Sequence, residues 1–154
     1  MLFRSVAANS AWMSGLNNAA NYVIAYGDSL LSANVKMKLD TLGNVSIGNL
    51  GAPAQSKLDV KGSFGNAIRS ITADYTTDGD DHTIIIATSV GATPLTVTLP
   101  AANTCDRREY IIVNRNGSIK TVTSYSDFSG TSTALPANAS ISLQSNGSNW
   151  FRTR

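Results

Sequence analysis

His82 is the one histidine in this chain of 154 residues, Cys105 the one cysteine and Glu109 the one glutamate. Nucleophilic catalysis of the Ser-His-Asp kind needs an imidazole held between two specific partners, and a structural zinc site needs four nitrogen or sulfur ligands. A lone His82 supplies neither, and it reads as a polar residue opening a strand. Asp74, Asp78, Asp80 and Asp81 crowd one short segment. Asp78-Gly79-Asp80-Asp81 looks like part of a calcium loop, but the alternating oxygen ligands and the closing Glu are missing, so a solvated turn is expected. Glycoside cleavage would require paired carboxyl groups, one of them in an apolar pocket. Glu109 instead follows Arg107-Arg108, and an ion pair at a strand start is the plainer reading. Cys105 is expected to be a small, half-buried thiol. Gly43, Gly48 and Gly51 lack dinucleotide-loop spacing, with no helix after them to receive a phosphate. No catalytic residue, cofactor or metal site is assigned, and the chain reads as a non-enzyme.

Binding chemistry is easier to place. Tyr125, Asp127 and Phe128 lie in a polar stretch over residues 124–136, read as a long insertion between strands. A ring offers a flat apolar face to a sugar, and a carboxylate accepts hydrogen bonds from its hydroxyls. These three residues are the candidate receptor-binding site, with Phe128 as a local plug under the loop the bland alternative. Tyr75, Tyr110 and Trp150 sit in strand contexts and are expected to anchor the core.

The scaffold for such a loop is β structure. Apolar residues alternate at Val35, Met37 and Leu39, at Leu58 and Val60, at Leu95, Val97 and Leu99, and at Ile141 and Leu143. A period of two fits strands with one wet face. Ile84-Ile85-Ile86 and Ile111-Ile112-Val113 are continuous, which predicts central strands covered on both faces. Asp78-Gly79, Asn116-Gly117 and Asn146-Gly147 supply turns, and an antiparallel meander follows. Over residues 10–20, Gly15 and Asn17-Asn18 argue against a helix, leaving a loop or a short turn. The partition is an N-terminal β region over residues 1–48, a connector over 49–66 and a C-terminal β-sandwich, jelly-roll-like, over 67–154. The N-terminal region has few large apolar residues, and its apolar faces, carrying Val23, Ile24, Val35, Met37 and Leu39, need a partner surface.

Only 14% of residues are charged, and the net charge of +2 is spread along the chain, with no Lys or Arg stripe for nucleic acid. The longest apolar runs, at residues 22–26 and 84–87, are far short of the roughly 20 residues of a membrane helix. Met1-Leu2-Phe3-Arg4 carries no secretory apolar stretch, so export is expected through particle assembly and cell lysis, or the chain is a truncation.

Gly43-Asn44-Val45-Ser46-Ile47-Gly48, then Ala52-Pro53, then Lys57-Leu58-Asp59-Val60-Lys61-Gly62 resembles a recurrent joint of bacteriophage tail-fibre and related fibrous adhesin chains. Ile71-Thr72-Ala73-Asp74-Tyr75, Leu95-Thr96-Val97-Thr98-Leu99-Pro100, Tyr110-Ile111-Ile112-Val113 and the closing Asn146-Gly147-Ser148-Asn149-Trp150 resemble the small β domain that often ends such fibres. The chain departs from that pattern at Cys105-Asp106-Arg107, where relatives carry a Gly turn, and lacks the family's Ile-Asp-Gly near residue 125. The resemblance implies a homotrimer with an interwoven N-terminal region, located in the virion, attached to upstream fibre or baseplate segments, and contacting a host cell-surface glycan or protein receptor. The alternatives to that favoured reading are a structural cap of the fibre, or the non-catalytic part of a polysaccharide depolymerase tailspike.

Overall fold

Alternation of apolar and polar residues carries into strand after strand, and the all-β class expected from the sequence is the class observed. The computed structural model describes residues 3–7, 10–27, 30, 34–48 and 53–154. The chain divides into two units, Met1–Gly65 and Asn66–Arg154.

In the first unit, β1 (Phe3–Ala7), β2 (Ser10–Leu16), β3 (Tyr22–Tyr26), β4 (Val35–Leu39), β5 (Val45–Ile47) and β6 (Leu58–Val60) form one sheet in chain order. Neighbours are antiparallel up to β5, and β6 lies parallel to β5. Two expectations are corrected here. Residues 10–16 are strand, not loop: Asn17 ends β2 rather than breaking a helix, its Oδ1 accepting the backbone N–H groups of Ala19 and Asn21 at 3.0 and 3.1 Å. The expected connector over 49–66 contributes β6 to this sheet; residues 49–52 of it, with Ala52 of the joint, lie outside the described residues.

Asp40 shapes the turn between β4 and β5. Its Oδ1 accepts from Leu42 N and Asn44 N, both at 2.9 Å, while Asn44 Nδ2 donates to Oδ2. The Asn44 amide, the largest influence, outweighs desolvation and holds the carboxyl below its ordinary range. Gly48 closes β5 at φ +73, where a Cβ would stand 2.9 Å from the Lys61 carbonyl oxygen, so the joint requires glycine there for conformation and for space.

The second unit contains β7 (Ile68–Ile71), β8 (Tyr75–Thr76), β9 (Thr83–Ile86), β10 (Thr96–Thr98), β11 (Glu109–Asn114), β12 (Lys120–Asp127), β13 (Gly130–Leu135), β14 (Ala139–Ser145) and β15 (Trp150–Arg152). The expected meander is not what forms. β7, β9 and β11 pair in parallel, as do β8, β10 and β12, so the chain alternates between two ladders and climbs in rungs. Parallel partners need a crossover, and here the opposite ladder provides it. β14 pairs antiparallel with β11, and β15 joins β14 to β12, closing one end.

Both ladders turn their alternate residues into one core: Ile71, Ile84, Ile86 and Ile112 from the first, Leu95, Val97, Val122 and Tyr125 from the second, with Leu135, Ile141 and Leu143. Tyr110 and Trp150 are buried within it, ring centroids 5.5 Å apart, and Tyr75 packs at its margin. The apolar runs in β9 and β11 are not covered on both faces as expected. Burial alternates along them, leaving Ile85, Ile111 and Val113 half-exposed on the outer face. Lys120 is buried as well, its Nζ donating to the Gly91 and Thr93 carbonyls at 2.6 and 2.8 Å.

Candidate functional site

Residues 124–136 are a hairpin rather than an insertion, because β12 runs on to Asp127 and returns as β13. Asp127 pairs with Gly130, so Phe128-Ser129 form a two-residue tip, and Gly130 takes φ +135 to make the return. The tip lifts Phe128 clear of the domain at 81% exposure. β15 lies beside β12 through Ser126 and Phe151, which brings Arg152 to the tip. Arg152 Nη1 donates to Asp127 Oδ2 at 3.3 Å, and the same guanidinium stands 5.8 Å from the Phe128 ring centroid. Asp127 Oδ1 accepts the Phe128 N–H at 2.7 Å, fixing where the ring leaves the backbone. The result is a protruding aromatic face beside a partly buried ion pair.

Tyr125 does not belong to this group. It is 3% exposed, lies in the core and donates its hydroxyl to the Ala134 carbonyl at 2.6 Å. The physical cause is a register irregularity between Thr121 and Tyr125 in the β12–β13 pairing. Lys120 and Val122 face inward, so a strict period of two would send Tyr125 outward; the shift turns it in. Tyr125→Phe removes the hydrogen bond that the hydroxyl of the buried ring donates to the Ala134 carbonyl and should cost about 1 kcal/mol, lowering the melting temperature while leaving Phe128 in place. An unchanged melting temperature would refute the structural role given to the hydroxyl.

Arg152 is a residue the sequence reading missed; nothing in its sequence neighbourhood connects it to residue 127, because the contact depends on β15 inserting beside β12. The other chemistry-bearing residues are dispersed. Asp81, expected in a solvated turn, is buried: Arg69 Nε and Tyr75 OH both donate to it at 2.7 Å, and Asp78 N donates at 3.1 Å. Burial pushes its carboxyl up, and the hydrogen bonds from Arg69, Tyr75 and Asp78 more than reverse that, leaving it below the ordinary range. Asp74 accepts from Thr96 N and Asp78 from Asp80 N. Among the described residues no three His, Cys, Asp or Glu side chains gather where a metal ion could sit. His82 stands beside Asn66 and Thr83. Arg107 faces Asp106 instead of Glu109, and Arg108 donates to the Tyr110 hydroxyl. Cys105 is buried rather than half-buried, its thiol donating to the Ala101 carbonyl at 3.4 Å.

The first unit presents a different kind of surface. Across its strands, Trp12 stands beside Tyr26, Ile24 beside Met37 and Ile47 beside Val60, while Leu16, Tyr22, Leu39, Val45 and Leu58 form an adjoining row. These side chains share one face of the sheet, and most are exposed, Leu16 at 68% and Trp12 at 53%. Val23 and Val35, expected on an open face, occupy the opposite one, where they are buried with Ala25 and packed by Leu30. Comparison with protein-family models, with curated proteins and with solved structures finds no match to this chain.

Proposed function

We propose that this chain is the distal part of a viral tail fibre, a non-enzymatic homotrimer that attaches to a glycan on the host bacterial surface. The observation that carries the reading is the open apolar face of the first unit. Its exposed side chains amount to roughly 700 Å² of apolar surface, taking aromatic side chains at about 150–250 Å² and aliphatic ones somewhat smaller, against roughly 800 Å² per partner in a stable interface. Monomeric proteins seldom leave a patch of that size to water. Identical chains around an axis cover such faces mutually, and the resemblance of the Gly43 to Gly62 joint to fibre chains sets the number at three.

Attachment is assigned to the hairpin tip. With the strands committed to core and interface, recognition falls to the loops, and Phe128 is the most exposed aromatic ring there, held at a hairpin tip by Asp127. Fluorescently labelled protein should adsorb to some members of a panel of bacterial isolates without releasing reducing ends from their polysaccharides. Phe128→Ala should reduce that adsorption at least tenfold with assembly and melting temperature unchanged, since the ring is outside the core. Adsorption that survives the change would move the site to the loop over residues 78–81. No adsorption to any isolate would leave the fibre-cap role and overturn attachment, and released reducing ends would overturn the non-enzymatic reading.

A further inference from the structure

At the opposite end of β11 from Glu109, a groove of about 390 Å³ opens between the strand ends and two turns. Such a volume falls within the roughly 300–1,000 Å³ of small-molecule sites. Its floor includes Val113 and Ala139, from paired strands β11 and β14, and its polar rim includes Thr88, Arg115, Asn138 and Ser140. Asn114, 1% exposed, fixes the walls. Its Nδ2 donates to the Ser118 and Pro136 carbonyls, both at 2.9 Å, and its Oδ1 accepts the Asn116 N–H at 3.0 Å. Asn138 N donates to the Asn116 carbonyl at 2.9 Å, tying one turn to the other. A groove held this way loses little ordering entropy when a ligand enters.

Arg115 gives the groove its selectivity. No lining residue is acidic, and among the described residues no carboxylate pairs with its guanidinium. A planar guanidinium favours a carboxylate held by two parallel hydrogen bonds. Around it, the Thr88 and Ser140 hydroxyls and the Asn138 amide both donate and accept, as sugar hydroxyls require, and Val113 and Ala139 suit the C–H face of a pyranose. A phosphate dianion or a nucleic acid calls for more than one cation, and no lining residue is an aromatic platform for a base.

We infer that this groove is a binding site for an acidic saccharide, a uronic-acid-type pyranose whose carboxylate is taken by Arg115 and whose hydroxyls are taken by Thr88, Asn138 and Ser140. The site is distinct from the Phe128 tip and does not depend on the chain being part of a fibre. Isothermal titration of the full chain with oligogalacturonate, and with the same oligosaccharide methyl-esterified, tests it directly. The acid form should bind and the ester at least tenfold more weakly, with amide NMR shifts centred on Thr88, Val113 and Ser140. Arg115→Gln should reduce binding of the acid at least tenfold at an unchanged melting temperature, because the side chain is exposed. Ser140→Tyr, which fills the groove and leaves the guanidinium in place, should give a comparable loss. Absence of binding, equal binding of acid and ester, shifts centred elsewhere, or retention of affinity in both variants would overturn the assignment.

Discussion

At micromolar concentration the native chain is expected to scatter light as three times 16.2 kDa, and Met37→Asp combined with Leu39→Asp as a single chain of 16.2 kDa. Both residues sit on β4, in the middle of the open apolar face, with Ile24 and Tyr22 on one side and Ile47 and Val45 on the other. Within a single chain the two side chains are already exposed, so carboxylates there meet water and the sheet survives. At an interface the same carboxylates would be desolvated without partners, a penalty of several kcal/mol for each ion, repeated in every copy. The effect on association is therefore large while the effect on folding is small. Thr41→Asp, in the exposed turn after β4, provides the control and should leave the mass unaltered. A native chain that is a monomer, or a double variant that keeps the native mass, would remove the assembly from the proposal.

The open face was partly legible in the sequence and partly not, for a definite reason. Alternation at Val35, Met37 and Leu39 announces a strand, but not which side is covered. An irregularity at Ile24 and Ala25 shifts the register between β3 and β4, so Val35 ends up buried beside Ala25 while Met37 and Leu39 face out. β2 escaped detection because Gly15 and Asn17 are poor residues for a helix and equally suit the end of a strand and its turn. The order of strands in the second unit is a non-local property. Ile84-Ile85-Ile86 and Ile111-Ile112-Val113 declare strands by composition, yet nothing in either segment tells that they pair with one another in parallel, since the crossover between them is the other ladder. Tyr110 and Trp150 as core anchors were legible because large aromatics in strands have few other places to go. Tyr125 was not, because one irregularity in β12 reverses the side to which it points.

Removing the Asp81 carboxylate should be strongly damaging to the second unit, and the influence of the Asp81 cluster should depend on pH in both directions. Asp81→Ala strips a buried acceptor from Arg69, Tyr75 and the Asp78 N–H, and a loss of about 3 kcal/mol is expected. In a unit of this size that corresponds to a fall of roughly 15 °C in melting temperature. The carboxyl titrates below its ordinary range in the folded chain, so the folded state binds its proton less readily than the unfolded one. Its stabilisation is complete above about pH 4 and is lost as the pH falls through the lower folded value. Tyr75 behaves oppositely. The hydrogen bond it donates to Asp81, with burial behind it, raises its phenol above the ordinary value, so that contribution is complete below about pH 10 and disappears on further rise. The contribution of this pair to the melting temperature should thus be constant between those limits and fall away outside them. Asp81→Asn keeps the shape but presents an amide to three donors, so it should lower the plateau and flatten the acid side. An Asp81→Asn variant whose acid side falls as steeply as the native one would show that another carboxylate governs acid unfolding.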